Sequence, residues 1–452
     1  MHSLESASLL SRIPLVVFLG TFICFFAIYI RSKRNTDNGI KTPTPTTETK
    51  TNAGSPSCFP ITPLPEFNWE TTEPLVLRPF KPKYHLTMGI TTLNPSDLIP
   101  MDKTYLSRLS LRKQLLSEYT DIVRAVNIQS HDPRQNSEVR DALCEWYAFV
   151  MGEYLPRRYP RMFRLVSGSG MTNGDGEKKR EQGTLIESLV TRLKAPVDPG
   201  ELMRSFSGNA TYDGEDPIGR TKKELLHLCD TLGTWIDEDF LILLPSPSLS
   251  ASSRSKPQPQ DNQDQEPKYH LQAYTTFYPS GFDTRTKLGK PLSEIHAPVP
   301  GYKQKLEKSM DRFFERLEVG KVVVRVNWSI MTKGTGLFAP FGGLHDHSPD
   351  SNTTTSSTAG DAEEDKIKVD GFDGDETYLR CERQTLHRLP RTKALVFAFH
   401  TYAYPIKDVR DEGLGEELAV AIDGLKEGSV PGIYAYKRGR YWGKAVKAFL
   451  RS

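Results

Sequence analysis

Apolar positions repeat at two different periods in the third quarter of the chain. Between Tyr302 and Glu318 they recur every three or four residues, as on the buried face of a helix. From Lys321 to Ile330 they alternate with other positions, as in a strand with one side in the core. The other side of this strand carries Arg325 and Asn327. The pattern therefore predicts a helix followed by a strand that has a polar face.

Similar patterns occur on both sides of this stretch. Helical spacing predicts three more helices, in 139–154, 221–232 and 442–450. Runs of β-branched and aromatic residues predict three more strands, in 235–244, 269–278 and 395–404. The chain therefore mixes helices and strands, and it shows no internal repeat.

Stretches of biased composition interrupt these elements. Residues 31–66 are rich in Thr, Pro and Ser, which predicts a disordered linker. Disordered insertions are predicted at 167–181, which is Gly-rich and charged, at 245–267, which is rich in Ser, Pro and Gln, and at 346–375, which is acidic. Because predicted elements continue beyond each stretch, the insertions are expected to lie within one domain that spans residues 67–452.

The N-terminus predicts a membrane anchor. After a short segment, residues 1–12, an uncharged apolar run at 13–30 is long enough to cross a bilayer, and no small-residue cleavage site follows it. Only Arg12 precedes the run, whereas four basic residues follow it: Arg31, Lys33, Arg34 and Lys41. The positive-inside rule therefore predicts a cytosolic C-terminal domain on the endoplasmic reticulum membrane. A long signal peptide and a buried apolar helix remain the alternative interpretations of this run.

Composition excludes several classes of protein. The net charge is only +3, and no Lys/Arg-rich run is interleaved with aromatic residues, so no nucleic-acid partner is predicted. The five cysteines are odd in number and lack CxxC spacing, which indicates free thiols in a reducing compartment. No dinucleotide fingerprint, phosphate-binding loop or serine-hydrolase elbow occurs in a strand-turn-helix context.

Three blocks of the sequence carry a family resemblance. They are Pro82–Gly89 (PKYHLTMG), Pro279–Ile330 with its Ile-His-Ala-Pro-Val-Pro turn, and Glu382–Pro390 (ERQTLHRLP) with the following 397–402. In this order, across about residues 74–450, they resemble the haem-dependent oxidative N-demethylase alpha-subunit-like family, formerly a fungal and bacterial domain of unknown function. The resemblance implies an α+β, PAS-like haem-binding domain. For characterised bacterial members it also implies oxidative removal of a methyl group from a small amine.

Residue chemistry within the matched blocks selects a candidate site. His296 lies in a turn that its prolines stiffen, and a neutral imidazole can ligate haem iron, so His296 is the candidate metal ligand. Arg325, which can pair with a haem propionate, and Asn327 are the further candidates for cofactor binding. The candidate catalytic residues of the pocket are Arg383, Gln384 and Thr385. The alternative interpretation is a structural histidine beside a strand face that meets solvent.

Together with the apolar run at 13–30, the resemblance implies a membrane-anchored oxidase or monooxygenase that uses haem b. Its small organic substrate would undergo oxidative N-demethylation or a tailoring step of secondary metabolism. Because the sequence has no flavin, NAD or iron–sulfur motif, a separate reductase or peroxide would have to support the oxidation.

Two other functions remain open. The first is a non-catalytic haem or ligand sensor, since fold alone does not decide function. The second is a type II membrane glycosyltransferase, whose acidic pair would be Asp373 and Asp375. A metal site at His345–His347 has little support, because alternate residues at the edge of a predicted disordered insertion lack a rigid scaffold.

Overall fold

The computed structural model describes residues 59–129, 131–168, 183–207, 216–246, 268–280, 283–332 and 367–452. All of them belong to one compact unit, Ser57–Ser452. The predicted anchor at 13–30 lies outside the described residues, as do most of the predicted linker and most of each predicted insertion. Within the described ranges, no helix has the length and apolar character needed to cross a bilayer.

An antiparallel sheet forms the centre of the unit. The strands are β1 (Thr91–Leu93), β2 (Arg124–Val126), β3 (Phe163–Ser167), β4 (Thr184–Ser188), β5 (Lys194–Pro196), β6 (Asp239–Pro245), β7 (Tyr269–Thr275), β8 (Val322–Thr332), β9 (Thr377–Arg388) and β10 (Leu395–Pro405). Among the described strands, seven form one sheet in the order β1-β8-β9-β10-β6-β7-β2. The strands β3, β4 and β5 form a separate small sheet.

Helices surround the large sheet and connect its strands. The α-helices are α1 (Tyr105–Glu118), α2 (Thr120–Val123), α3 (Pro133–Ala148), α4 (Leu155–Arg158), α5 (Pro199–Ser207), α6 (Pro217–Trp235), α7 (Leu292–Ile295), α8 (Tyr302–Lys305), α9 (Glu307–Arg316), α10 (Ile406–Val409), α11 (Gly415–Glu427), α12 (Gly432–Tyr436) and α13 (Gly439–Leu450). Single turns of 3-10 helix lie at Pro95–Asp97, Thr284–Lys287 and Val369–Gly371, and π-helical turns lie at Phe149–Tyr154 and Arg410–Leu414.

Two hydrophobic clusters pack on opposite faces of this sheet. One contains residues of α1, α3 and α6 together with Ile242 and Val396. The other contains residues of α8, α9, α11 and α13 together with Leu243 and Leu395. Because side chains alternate along a strand, the neighbours Ile242 and Leu243 point to opposite faces, as do Leu395 and Val396. The central strands are therefore buried on both sides.

The structure confirms the predicted α+β fold and refines several elements. The strand β8 lies where the alternating pattern predicted it. The predicted helix at 302–318 is divided into α8 and α9 at Leu306, whose φ of −119° departs from helical values. The strand β9 was not predicted, because almost all of its residues are buried and its sequence shows no alternation.

The packed part of the chain begins earlier than residue 67, the predicted start of the domain. Phe59 and Ile61 are only 1% and 6% exposed and belong to the same hydrophobic cluster as α3. The C-terminal end of the predicted insertion at 346–375 is also packed, since the amide of Ile367 donates to the carbonyl oxygen of Tyr441 (3.0 Å). Sparse apolar content concealed both segments, because the first contributes only two buried side chains and the second contributes only the partly buried Ile367 and Phe372.

Candidate cofactor site

A cavity of about 550 Å³ lies on the face of the large sheet that α8 and α9 cover. Alternate residues of two paired strands form its polar wall: Val323, Arg325, Asn327 and Ser329 of β8, and Glu382, Gln384 and Leu386 of β9. Residues 84–90, residues of the segment 284–314, α12 with Lys437, and a few residues of β6, β7 and β10 contribute further parts of the lining. The volume falls within the range of roughly 300–1,000 Å³ that is usual for ligand and cofactor pockets.

His296 follows α7 directly and lines this cavity. Its Nδ1 lies 2.9 Å from the carbonyl oxygen of Leu292. Because a carbonyl oxygen only accepts, Nδ1 carries the proton, and Nε2 of the neutral ring is unprotonated. The ring also stacks on Tyr302, with centroids 4.9 Å apart and planes 16° apart. Two contacts therefore fix the orientation of the imidazole.

The charge state of His296 follows from its surroundings. Burial lowers the pKa of His296 to about 4, against the smaller opposing effect of its hydrogen bond to Leu292. The ring is therefore neutral at physiological pH. A neutral, oriented imidazole whose second nitrogen is held by a carbonyl oxygen is the usual form of a metal-ligating histidine.

Arg325 lines the same cavity and lies opposite Gln384 in the register of β8 and β9. Within the described ranges, its guanidinium forms no hydrogen bond and no ion pair. Burial lowers the pKa of Arg325, although Tyr84 and Glu382 oppose this effect. A guanidinium has five N–H donors, and desolvating them without acceptors costs free energy. The arrangement therefore favours the binding of an anion.

Asn327 is bound by a lysine from the C-terminal part of the chain. Lys437 Nζ donates to Asn327 Oδ1 (3.0 Å) and to the carbonyl oxygen of Trp328. Lys437 is only 8% exposed, and its Nζ lies 5.3 Å from the centre of the Trp328 ring. Burial lowers the pKa of Lys437 to about 8, although Glu382 opposes the shift. The cavity thus contains an amine that changes charge close to neutral pH.

Gln384 belongs to a hydrogen-bonded network on the same wall. Its Nε2 donates to Glu382 Oε2 (3.0 Å), and Arg380 forms an ion pair with Glu382 Oε1 (3.1 Å). Arg380 and Glu382 are almost fully buried. The carboxylate of Glu382 is therefore already partnered by the protein on both oxygens.

The structure does not place Arg383 in the cavity, contrary to the sequence-based prediction. Its guanidinium donates to the carbonyl oxygens of Asp97 (2.5 Å) and Leu98 (3.3 Å). Thr385 contributes to the cavity lining, but its hydroxyl lies 3.5 Å from a carbonyl oxygen of β10. Because side chains alternate along a strand, Gln384 faces the cavity and Arg383 faces the other side. Three consecutive residues could not all have faced one pocket.

Sequence reasoning missed three polar residues that line the cavity: Tyr84, Glu382 and Lys437. Tyr84 and Glu382 lie inside blocks that carried the family resemblance, and the period of a strand could have selected Glu382, two positions before Gln384. Lys437 gave no such signal, because it lies at the end of a short helix that the sequence pattern did not predict.

The other candidate motifs do not form a site in the described residues. No group of three or more His, Cys, Asp or Glu side chains in these ranges is arranged to hold a metal ion. The motif at His345–His347 lies outside them. Asp373 Oδ1 accepts from the amide of Asp375 (2.9 Å), and Asp375 pairs with Lys407 (3.0 Å). The acidic pair of the glycosyltransferase alternative therefore belongs to an exposed turn.

Comparison with known proteins identifies the family. The family model for "Haem-dependent oxidative N-demethylase, alpha subunit-like" matches residues 89–447, which is well over half of the chain. A comparison with curated proteins found no significant match. The matched region contains the strands that form the polar wall of the cavity, together with His296 and Lys437. The chain therefore belongs to the haem-dependent oxidative N-demethylase alpha-subunit-like family.

Proposed function

We propose that the protein is a haem-dependent oxidase or monooxygenase that acts on a small organic substrate. The main support for this proposal is that one cavity contains both the neutral imidazole of His296 and the guanidinium of Arg325, which has no partner among the described residues. Imidazole is a common axial ligand of haem iron, and a guanidinium pairs well with a propionate. Membership of a family named for haem-dependent oxidation supports the same cofactor.

The residues of the cavity fit a haem. Apolar side chains supply the surface that a flat macrocycle needs: Leu241, Leu243, Leu271, Met310, Phe313 and Phe314. His296 would hold the iron through Nε2, since its Nδ1 is engaged by Leu292. Arg325 would bind a propionate, which would relieve the cost of its missing partners.

When bound, the haem would supply the oxygen chemistry that oxidises the substrate, including the removal of an N-methyl group. The residues of the chain would orient the substrate and exclude water. Gln384 and Asn327 offer amide groups to a substrate, and their positions are fixed by Glu382 and Lys437. Arg383 has no role in this proposal, because its hydrogen bonds fix the segment at Asp97 on the other side of the sheet.

The proposal includes a membrane location and an external source of electrons. Residues 13–30 would anchor the protein in the endoplasmic reticulum membrane, with a PAS-like domain in the cytosol. A separate reductase, or peroxide, would support turnover, since the sequence offers no flavin, NAD or iron–sulfur motif for this task.

A haem titration of the full-length protein tests the proposal. We expect a Soret band that saturates at one haem per chain in the wild type, and a weaker, shifted band in His296→Ala. His131→Ala is the matched control, because His131 is exposed and does not line the cavity. The absence of a Soret band in the wild type would overturn the proposal. A band without oxidation of any amine in the presence of reductase or peroxide would favour the sensor alternative.

A further inference from the structure

The polar end of the cavity contains more positive than negative charge. Three charged lining residues meet there: Arg325, Lys437 and Glu382. Arg380 forms the ion pair with Glu382 (3.1 Å), and Gln384 occupies the second oxygen of this carboxylate. Within the part of the chain that the structure describes, neither Arg325 nor Lys437 forms an ion pair. Two cations therefore remain without a carboxylate.

We propose that Lys437 and Arg325 form a carboxylate-binding end of the cavity, which selects ligands that carry a carboxylate group. Lys437 is buried and Arg325 is partly buried. Withdrawing a charge from water without a counter-charge is costly, and an incoming carboxylate reduces this cost for both cations. Lys437 is anchored by Asn327 and by the carbonyl oxygen of Trp328, so its ammonium is already oriented before a ligand arrives. This inference deepens the proposed function, since it names the chemistry of a ligand of the same cavity.

Two kinds of ligand carry a carboxylate that would fit this end of the cavity. One is a propionate of the haem, and the other is the carboxylate of a free small molecule. Much of the remaining lining is apolar, with Leu271, Phe313 and Phe397 among its members, so either ligand would combine a carboxylate with a hydrophobic body. The experiment below separates the two sources.

The protonation of Lys437 gives the site a measurable signature. Burial lowers the pKa of Lys437 to about 8, so carboxylate binding should weaken as the amine loses its charge above that pH. The titratable and charged groups that face it are Glu382, Arg325 and Cys381 from the strands, together with Tyr84 and Tyr436. Burial raises the pKa of Cys381 and of Tyr436 to about 12, and burial also raises the pKa of Tyr84. The loss of charge on Lys437 near pH 8 is therefore the change that the binding measurement should detect.

Calorimetric titration of the haem-free, full-length protein with hexanoate and with hexanamide tests the site directly. Hexanoate should bind roughly 10- to 100-fold more tightly, since a hydrogen bond to a charged group contributes on that scale. Lys437→Met should remove most of the preference for hexanoate over hexanamide, and the contribution of Arg325 should remain. Lys444→Met is the matched control, because Lys444 is exposed on α13 and does not line the cavity. In the wild type, the hexanoate affinity should fall above about pH 8 while the hexanamide affinity stays constant. This test uses only the wild type and does not depend on the folding of a variant.

A second arm identifies the source of the carboxylate. If the haem-loaded protein still prefers hexanoate to hexanamide, the site serves a free ligand. If the preference disappears on loading, and Lys437→Met weakens the binding of haem but not of haem dimethyl ester, the site serves a propionate. Equal affinities for hexanoate and hexanamide, together with equal effects of Lys437→Met on haem and its ester, would overturn the inference. The titrations of the haem-free protein test this inference even if the protein binds no haem. A negative result there is therefore distinct from a negative result in the haem titration that tests the proposed function.

Discussion

Two arginines, one fully buried and one partly buried, show opposite ways of placing a charge inside this protein. Arg112 is fully buried, and its guanidinium donates to the carbonyl oxygens of Gly233 (2.7 Å) and Glu238 (2.6 Å) and pairs with Asp239 (2.9 Å). Each nitrogen of Arg112 thus has a partner in the protein. Arg325 lines the cavity, and no described residue forms a hydrogen bond or an ion pair with it. The comparison indicates that Arg112 stabilises the fold, whereas Arg325 is the arginine for which we propose a ligand.

The surroundings of Arg112 explain its structural role. Asp239 also accepts from the amides of Phe277 (2.9 Å) and Tyr278 (2.7 Å), and the neighbouring Asp237 pairs with Arg108 (2.6 Å). This cluster joins α1 to the start of β6 and to the residues that follow β7. Removing one member would leave the remaining charges buried and unpaired.

The largest effect on stability is expected for Arg112→Met. We expect it to lower the free energy of unfolding by about 3–5 kcal/mol, because Asp239 would lose its counter-charge in the core. Urea unfolding measures this difference. Lys113→Met removes an exposed charge from the same helix and should stay within about 0.5 kcal/mol of the wild type. Equal losses in the two variants would contradict the structural role of Arg112.

His387 adds a third case to this comparison. It is a buried polar side chain that has no hydrogen-bond partner among the described residues and does not line the cavity. It is fully buried between Phe59 and Trp146, and neither ring nitrogen has a hydrogen-bond partner among the described residues. We expect His387→Leu to raise the free energy of unfolding by about 1–3 kcal/mol at pH 7. His131→Leu, at an exposed position, should leave it unchanged.

The stability gained in His387→Leu should depend on pH with a definite sign. Burial lowers the pKa of His387 to about 3, whereas an unfolded histidine titrates near pH ~6.5. Below pH ~6.5 the unfolded wild type therefore binds a proton that the folded state excludes, and its stability falls. The gap between variant and wild type should widen by about 1.4 kcal/mol per pH unit between pH ~6.5 and pH ~4. A constant gap across these pH values would show that His387 does not stay neutral in the folded state.

Arg325→Met is the direct counterpart of Arg112→Met. Because Arg325 has no hydrogen-bond or ion-pair partner to lose among the described residues, the free energy of unfolding of the haem-free protein should change by less than about 1 kcal/mol. Its haem affinity, measured by absorption titration, should fall roughly tenfold or more through the loss of a propionate contact. A large loss of stability with unchanged haem affinity would place Arg325 in the same class as Arg112.

The smallest effect is expected for the pH dependence of haem binding. Since burial lowers the pKa of His296 to about 4, its Nε2 stays available well below the pH at which an exposed histidine becomes protonated. The haem affinity of the wild type should therefore stay constant from pH 7 down to about pH 5.5. Spectrophotometric titrations across this range measure it, and a steep loss below pH 6.5 would mean that the ligating group titrates normally.

The local pattern of apolar and polar residues was sufficient to predict part of this structure. Alternation predicted β8 because one of its faces is core and the other is the polar wall, and the same alternation singled out Arg325 and Asn327. It failed for β9, which is buried on both faces and whose mostly polar sequence shows no alternation of apolar and polar residues. Consecutive residues of that unrecognised strand, including Arg383, were consequently assigned to one pocket.

Contacts between distant segments were beyond the reach of local pattern. Lys437 and Asn327 are 110 residues apart in sequence, and Arg112 and Asp239 are 127 residues apart. Neither pair has a spacing that distinguishes it from other charged and polar residues along the chain. The sequence could therefore indicate a polar strand face, but not the lysine that completes it or the buried cluster that supports the opposite side.

Chemical rescue of His296→Ala by imidazole tests the central claim most directly. If His296 holds the iron in the cavity, the variant should show an altered and weaker Soret band, and millimolar imidazole should restore the wild-type position and affinity. Free imidazole would then occupy the space that the truncated side chain leaves, as the apolar lining and the neutral ring of the wild type predict. A variant with the same band position and haem affinity as the wild type, before any imidazole is added, would contradict the assignment of His296.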